Sequence, residues 1–301
     1  MKISALGEDR LIRRMARGIR PGRGVLRGIG DDCAVLAGGS SGRHLLFASD
    51  MLVEGVHFRR GARPEGIGWK GLAVNVSDVA AMGGIPRHAV VSIGLPRGTR
   101  LSFVDGVYRG LRRCAARFGV NLVGGDTVRS PRVVLDVAIL GEVERGRAVL
   151  RSGARPGDAL LVTGRLGGAV RSGRHLTFTP RAREARALAA RTRLHAMMDL
   201  SDGLWRDLGR MCRASRAHAV LEPARILRAR GCSLKQALAD GEDFELLLAV
   251  PAGEAEQLTR WARGRLPCGL TRIGRVVRRA GKEPITFADG RKLSLRGFEH
   301  F

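Results

Sequence analysis

The stretch HLLFASDMLVEGVHF, residues 44–58, carries the pattern on which the prediction of fold and function depends. A short apolar run ends in Ser49 and Asp50, and His57 follows in the next loop. The run has the length of a buried strand. A strand that delivers a serine and a carboxylate at its end is a common way to build a phosphate or metal site. The same residues also fit a plain strand that ends in a turn-favouring Ser-Asp pair, so this stretch alone leaves both interpretations open.

The composition predicts a globular protein without a membrane segment. The chain has 301 residues, enough for two domains with separate cores, and 44% of them are hydrophobic. No apolar run approaches the roughly 20 residues of a membrane helix, and the N-terminus shows no signal peptide. The five cysteines include no CxxC pair, which indicates neither a disulfide framework nor a zinc site. We therefore expect a cytoplasmic protein.

The formal net charge of +25 makes nucleic acid a possible partner. Only five of the 53 basic residues are lysines, and the arginines are spread along the chain without a block of like charges. Aromatic residues make up 4% of the chain, which leaves few platforms for the stacking of single-stranded bases. This pattern disfavours a specific nucleic-acid site, although a basic surface would still attract anionic substrates.

Aspartates recur after small residues at several separate points of the chain. They are Asp31, Asp32, Asp50, Asp78, Asp126, Asp199 and Asp202. Asp78 lies in an otherwise apolar predicted helix, where a buried polar group needs a partner. The neighbours Asp31 and Asp32 point in different directions on an extended chain, so we expect them to have different roles. For Ser201 and Asp202, which precede a predicted helix, N-capping and phosphate binding both remain open.

These carboxylates predict a site for phosphoryl transfer. Mg²⁺ prefers hard oxygen ligands and usually binds through a few carboxylates together with substrate phosphates. Aspartates from separate segments can gather several ions, which neutralise a polyphosphate and a second anion during in-line transfer. The chain contains no GxxxxGK[ST] loop, GxSxG elbow or HExxH motif, so it is not a P-loop protein and shows no such hydrolase signature.

Strands and helices are mixed in both halves, without the regular alternation of a doubly wound sheet. We predict an α+β fold of two lobes with mixed or antiparallel sheets. The predicted domains are residues 1–148 and residues 149–301.

Seven motifs in this order resemble the thiamine-monophosphate kinase family, of the aminoimidazole ribonucleotide synthetase-like superfamily. They are GIGDDCAVL, ASDMLVEGVHF, LAVNVSDVAAMGGIP, LVGGDT, RSGARPGD, MMDLSDGL and GEDFELL. The resemblance implies two α/β lobes with ATP in a cleft. The first domain, residues 1–148, would bind metal and ATP and form a homodimer through its sheet, and the second, residues 149–301, would be shortened relative to the family. It also implies direct transfer of a phosphoryl group from ATP to thiamine monophosphate, which gives thiamine diphosphate without a protein nucleophile.

The resemblance also implies roles for individual residues. Metal ligands would be Asp32, Ser49, Asp50, Asp78, Asp126, Asp199 and Asp202, holding several Mg²⁺ ions. ATP would contact Tyr108, Gly125, Asp126, Arg151 and Ser201. The acceptor would contact His57, Glu242 and the ring of Phe298.

Three segments depart from the family pattern. Ala48 stands where the family usually has a serine or threonine oxygen, and a water could replace it because Mg²⁺ readily keeps waters. Residues 167–169 read GGA instead of the family's GDS, and the helix that follows is shortened. Residues 240–243 read DGED instead of GGED. The acceptor half is therefore less well supported than the metal and ATP half. Two alternatives stay open: a diverged ATP-binding relative with another small acceptor, and a non-catalytic nucleotide or nucleic-acid binding protein.

Overall fold

The structure is a computed structural model that describes residues 3, 6–279, 281, 283–293, 295 and 297–300. The N-terminal half contains a mixed six-stranded sheet. Its strands are β1 (Val25–Arg27), β2 (Ala34–Leu36), β3 (Arg43–Val53), β4 (Ile85–Leu95), β5 (Asn121–Arg129) and β6 (Val134–Glu144), in the order β1-β2-β3-β6-β4-β5. Strands β4 and β5 are parallel, and the other neighbours are antiparallel. The stretch that opens the sequence analysis is therefore β3 and the loop that follows it.

Three helices belong to this half: α1 (Glu8–Met15), α2 (Pro64–Ala81) and α3 (Leu101–Phe118). Helix α2 is buried over almost its whole length. Helix α3 buries Val107, Leu111 and Cys114, which recur at helical spacing on one face, and ends at Gly119 in the left-handed conformation. The two helices touch backbone to backbone, since a Cβ on Gly110 would lie 2.0 Å from the carbonyl oxygen of Glu65. This contact leaves no room for a side chain at Gly110.

The C-terminal half contains a second mixed sheet of six strands. They are β7 (Ala159–Thr163), β8 (Ala196–Asp199), β9 (Ala217–Leu221), β10 (Leu246–Val250), β11 (Leu270–Arg278) and β12 (Ile285–Phe287), in the order β12-β9-β11-β7-β10-β8. Strands β12 and β9 pair in parallel, and the other neighbouring strands of this sheet are antiparallel within the described residues. The helices are α4 (Ala169–Ser172), α5 (Ala182–Arg191), α6 (Leu204–Ser215), α7 (Leu234–Ala239) and α8 (Ala252–Ala262), with short 3-10 turns at Arg174–Leu176 and Pro223–Arg225. The α+β prediction with two mixed sheets is confirmed.

Helix α2 joins the two halves because it contacts both. The indole nitrogen of Trp69 donates a hydrogen bond to the carbonyl oxygen of Phe178 at 2.7 Å, and the hydroxyl of Ser77 donates to Asp199 at 2.5 Å. The domain boundary at 148/149 falls in the connection between β6 and β7 and stays a prediction. Within the described residues, no helix has both the length and the apolar character that crossing a bilayer requires.

Candidate active site

Three aspartates from distant parts of the chain meet between the two sheets. Asp32 precedes β2, Asp78 lies near the end of α2, and Asp199 is the last residue of β8. One carboxylate oxygen from each lies within 4.8 Å of the other two, and Asp32 and Asp199 are buried. The fold therefore gathers three carboxylates that the sequence places up to 167 positions apart.

This cluster carries more negative charge than the protein neutralises. Burial, and then the charges of Asp50 and Asp199, hold the pKa of Asp78 well above its usual value. Burial and the charge of Asp32 do the same to the pKa of Asp199. Burial also raises the pKa of Asp50 to about 6, with further contributions from Asp202 and Glu242. Burial and mutual repulsion thus favour the protonated form of these carboxyl groups. A bound cation would stabilise their charged form, so such a cluster is typical of a cation-binding site.

The hydrogen bonds of Asp32 also leave one of its two carboxylate oxygens without a donor among the described residues. Its Oδ1 accepts hydrogen bonds from the Arg151 guanidinium, at 2.6 Å from Nη2 and 3.1 Å from Nε. Its Oδ2 is buried and has no hydrogen-bond partner among the described residues. A buried carboxylate oxygen without a donor is costly unless something else binds it. Mg²⁺ prefers hard oxygen ligands such as carboxylates, and Oδ2 of Asp32 is free of a protein donor among the described residues. The residues present therefore suit the metal that the sequence predicts.

The aspartates open into a cavity of about 460 Å³. Eleven of the predicted site residues line it: Asp32, Ser49, Asp50, His57, Asp78, Arg151, Asp199, Ser201, Asp202, Glu242 and Phe298. The structure thus brings together predicted metal, ATP and acceptor residues from both halves of the chain. Asp31 accepts a hydrogen bond from the backbone N–H of Arg151 at 2.9 Å, whereas Asp32 accepts from the guanidinium of the same residue. That the two adjacent aspartates have different roles stays a prediction.

Ser49 occupies a different face of the sheet from Asp50. Its hydroxyl donates to Oδ1 of Asp136 at 3.1 Å on the exposed side of β3 and β6, and only part of the residue borders the cavity. Successive side chains of a strand point to opposite faces, which places Asp50 toward α2 and Ser49 away from it. The metal role of Ser49 stays a prediction.

Tyr108, Gly125 and Asp126 lie outside the cavity. Tyr108 is on α3, and the other two are on β5, the edge strand. Strands β6 and β4 separate β5 from β3, so Asp126 is three strands away from Asp50. Its Oδ1 accepts from the backbone N–H of Thr127 at 2.7 Å. Within one chain these residues do not reach the aspartate cluster, and their predicted ATP and metal contacts stay predictions.

Rings surround the other end of the cavity. The His57 ring lies 5.2 Å from that of His300, and the Phe298 ring meets His300 edge-on at 4.9 Å between centroids. The backbone N–H of Val53 donates to Nδ1 of His57 at 3.0 Å. Burial lowers the pKa of His57 to about 4, with help from the nearby charge of Lys70, so the ring is neutral at ordinary pH. This end offers flat, uncharged surfaces beside the carboxylate of Glu242.

Several cavity residues were missed by sequence reasoning. Lys70 is buried in α2 with Nζ 2.6 Å from Oε2 of Glu242, and its signal was available as a charged residue inside an apolar helix. Arg210 of α6 lies 2.5 Å from Oδ2 of Asp202. The first turn of α1 supplies Glu8 and Asp9, whose position beside α6 no local pattern indicates.

Comparison with known proteins places this fold and cleft in one class. A family model for the N-terminal domain of AIR synthase related proteins matches residues 30–143, and the model for their C-terminal domain matches residues 155–286. The two lobes are therefore the two domains of an AIR synthase related protein. Within that class, the chain belongs to the thiamine-monophosphate kinase family.

Individual relatives support this assignment. A thiamine-monophosphate kinase of Rhodopirellula baltica is 38% identical over 298 residues, with 92% of each chain covered. A solved structure, AaThiL complexed with AMPPCP and TMP, has a TM-score of 0.86 and 31% identity, and covers 100% of this chain and 99% of its own. The thiamine-monophosphate kinase structure from Stenotrophomonas maltophilia has a TM-score of 0.76 and 32% identity, with 94% and 95% covered.

Proposed function

We propose that this enzyme transfers the γ-phosphoryl group of ATP to thiamine monophosphate, in a Mg²⁺-dependent reaction that gives thiamine diphosphate and ADP. The observation that carries the proposal is the convergence of Asp32, Asp78 and Asp199 within 4.8 Å in a cleft between two domains. The relatives named as thiamine-monophosphate kinases, and the related structure with AMPPCP and TMP, support both substrates. Family membership favours an enzyme over a non-catalytic binding protein.

The chain's own residues account for binding and orientation. Asp32, Asp50, Asp78, Asp199 and Asp202 would hold Mg²⁺, which when bound neutralises phosphate charge and aligns the reacting oxygens. Arg151, Arg210 and Arg213 line the same cleft and carry donors suited to phosphate oxygens, although Arg151 and Arg210 are also paired with aspartates.

The acceptor would bind at the end of the cavity formed by His57, Phe298 and Glu242. A flat heteroaromatic ring can pack on the neutral imidazole and on the phenyl ring, and the carboxylate suits the positive charge of a thiazolium. The acceptor's phosphate oxygen is already anionic, so the transfer needs neither a protein nucleophile nor a general base. Positioning and charge neutralisation then supply the catalysis, by direct in-line displacement.

We also propose a homodimer formed through the outer face of the N-terminal sheet. Phe47, Met51 and Val90 point to this face and are 45%, 53% and 40% exposed. An exposed apolar sheet face of this kind marks an interaction surface. Asp126 pairs in register with Ser92 on the same face, so dimerisation offers Gly125 and Asp126 a route to the cleft of the second copy.

Sedimentation tests the dimer with Met51→Arg, which places a charge in the middle of the face. The expected result is a monomer, while Leu101→Arg, at a 75% exposed site on α3, stays dimeric. A dimer that persists in Met51→Arg would contradict this interface. The cytoplasmic location and the boundary at 148/149 are part of the same proposal and follow from the sequence.

A second candidate function is phosphorylation of a different small acceptor. The departing segments favour it, because the backbone N–H of Gly167 donates to Asp243 at 2.8 Å and that of Gly168 donates to Asp240 at 3.0 Å. The altered loop and the altered DGED segment therefore form one unit beside Glu242. This unit leads into α4, a helix of only four residues.

ADP release tests the proposed function. A coupled assay should show ADP formation that requires both Mg²⁺ and thiamine monophosphate, and that Asp50→Ala abolishes. Asp105→Asn, on the exposed face of α3, is the matched control and should keep full activity. A folded protein that binds Mg·ATP but releases no ADP with thiamine monophosphate would favour the second candidate.

A further inference from the structure

Lys70 is a fully buried cation at the acceptor end of the cleft. Its side chain is 1% exposed, with Nζ 2.6 Å from Oε2 of Glu242. Nζ also donates a hydrogen bond to the carbonyl oxygen of His57 at 2.9 Å. One ammonium group therefore joins α2, the loop after β3 and the loop before β10. The first two belong to the N-terminal domain and the third to the C-terminal domain.

The backbone of Glu242 gives this contact a specific purpose. Glu242 has a φ of 59°, in the left-handed region that residues with a side chain seldom occupy. Its backbone N–H donates to the carbonyl oxygen of Ser201 at 2.6 Å, and its carboxylate faces Lys70. Such conformations persist only where the surroundings hold them, and they cluster at ligand-binding positions. The hydrogen bond to Ser201 fixes the backbone of Glu242, and the ion pair with Lys70 fixes its carboxylate.

Stability alone is a weak reason for a buried ion pair. Taking an ammonium and a carboxylate out of water is costly, and apolar residues of similar size often stabilise a fold as well or better. Burial lowers the pKa of Lys70 and raises that of Glu242, in agreement with this cost. The pair also lines the cavity next to His57 and Phe298, where fixing the position of the Glu242 carboxylate would help to orient a bound molecule.

We infer that Lys70 is a positioning residue for the acceptor, because it fixes Glu242 and the His57 loop relative to each other across the two domains. The inference rests on the proposed function, since it concerns the acceptor end of the same cleft. It separates the two substrates: acceptor use depends on Lys70, whereas binding of Mg·ATP at the aspartate cluster does not.

Steady-state kinetics of Lys70→Met test this separation. The expected result is a kcat/KM for thiamine monophosphate that falls about 10- to 100-fold, the effect of losing one charged hydrogen bond. The Kd for Mg·AMPPCP should stay within about twofold of wild type, since the aspartates are untouched. Lys235→Met removes the same charge at an exposed site on α7 and should match wild type. Lys70→Gln, which keeps a donor for Glu242, is the second variant, and circular dichroism verifies that each variant is folded.

Three results would overturn the inference, and they are distinguishable. Folded Lys70 variants with wild-type kinetics for the acceptor would remove the role of Lys70 and leave the proposed function intact. Equal losses in acceptor kinetics and in Mg·AMPPCP affinity would show a general structural role instead. No thiamine diphosphate from wild type or Lys235→Met would remove the proposed function, and the acceptor role of Lys70 with it.

Discussion

Replacing Asp78 by asparagine should stabilise the metal-free protein while destroying its response to Mg²⁺. Asp78 sits within 4.8 Å of carboxylate oxygens from Asp32 and Asp199, and it makes a hydrogen bond with Asp50. Asparagine keeps the shape and can donate the same hydrogen bond, but it removes one negative charge. A side chain that serves only the fold would show the opposite behaviour, because its loss would cost stability.

The magnitude follows from the geometry of the cluster. Two unit charges 4.8 Å apart repel by about 3.5 kcal/mol at an effective dielectric constant of about 20. The cluster relieves part of this repulsion by binding protons, since burial and its neighbours hold the pKa of Asp78 well above 3.8. We expect asparagine to recover about 2 kcal/mol near pH 8. For domains of this size that corresponds to a rise in Tm of about 4–8 °C.

Thermal unfolding in EDTA and in millimolar Mg²⁺ measures both effects. In EDTA, Asp78→Asn should melt above wild type. In Mg²⁺, wild type should gain stability by binding the ion, and the variant should gain little. Asp105→Asn is exposed on α3 and should match wild type in both buffers. A variant that melts below wild type in EDTA would refute the view that these carboxylates form a cation-binding site.

Three further predictions concern the packing and the acceptor end. Gly110→Ala should destabilise the fold by about 3 kcal/mol or more, because its Cβ would lie 2.0 Å from the carbonyl oxygen of Glu65; denaturant unfolding measures the loss. His57 should titrate with a pKa of about 4 by NMR, and because its pKa lies below 6.5, its contribution to stability should be lost as pH falls from about 6.5 toward 4. A titration near 6.5 would show that His57 is not buried beside Lys70. Phe298→Ala should raise the KM for thiamine monophosphate about tenfold and leave that for ATP unchanged, whereas equal changes in the two KM values would remove its acceptor role.

Local patterns in the sequence were sufficient to predict the α+β fold class and to single out the aspartates that line the cleft. The apolar stripe of α3 and the polar residues within α2 reflect burial, and burial depends on a periodicity that the sequence shows directly. The aspartates stood out because most of them follow glycine or serine in a chain rich in arginine. Their repeated setting suggested that they gather at one site and the resemblance assigned them as metal ligands, but no local pattern shows that Asp32, Asp78 and Asp199, which come from separate elements, meet.

Other features depend on contacts that no local pattern encodes. Asp126 fits the motif, yet strand order places it three strands from Asp50. The orientation of Ser49 could be predicted from the sequence, because successive side chains of a strand point to opposite faces. This alternation separates Ser49 from Asp50 as it separates Asp31 from Asp32. The role of Lys70 depends on its ion pair with Glu242, a residue of the other domain.

The two departures in the second half are related in the structure. Gly168 and Asp240, two of the residues that depart from the family's GDS and GGED, are 72 positions apart, and the backbone N–H of Gly168 donates to the Asp240 carboxylate at 3.0 Å. The two altered segments are therefore in direct contact, while the cavity next to them keeps Glu242 and Phe298. This arrangement indicates that the acceptor end is altered at its margin but keeps the residues proposed to contact the acceptor.

Chromatographic identification of the product from ATP, thiamine monophosphate and Mg²⁺ tests the central claim most directly. The account predicts thiamine diphosphate and ADP in equal amounts, no free phosphate, and no product with EDTA or with Asp199→Asn. Unchanged thiamine monophosphate, in a folded protein that still binds Mg·ATP, would contradict the claim and show that the cleft serves another acceptor.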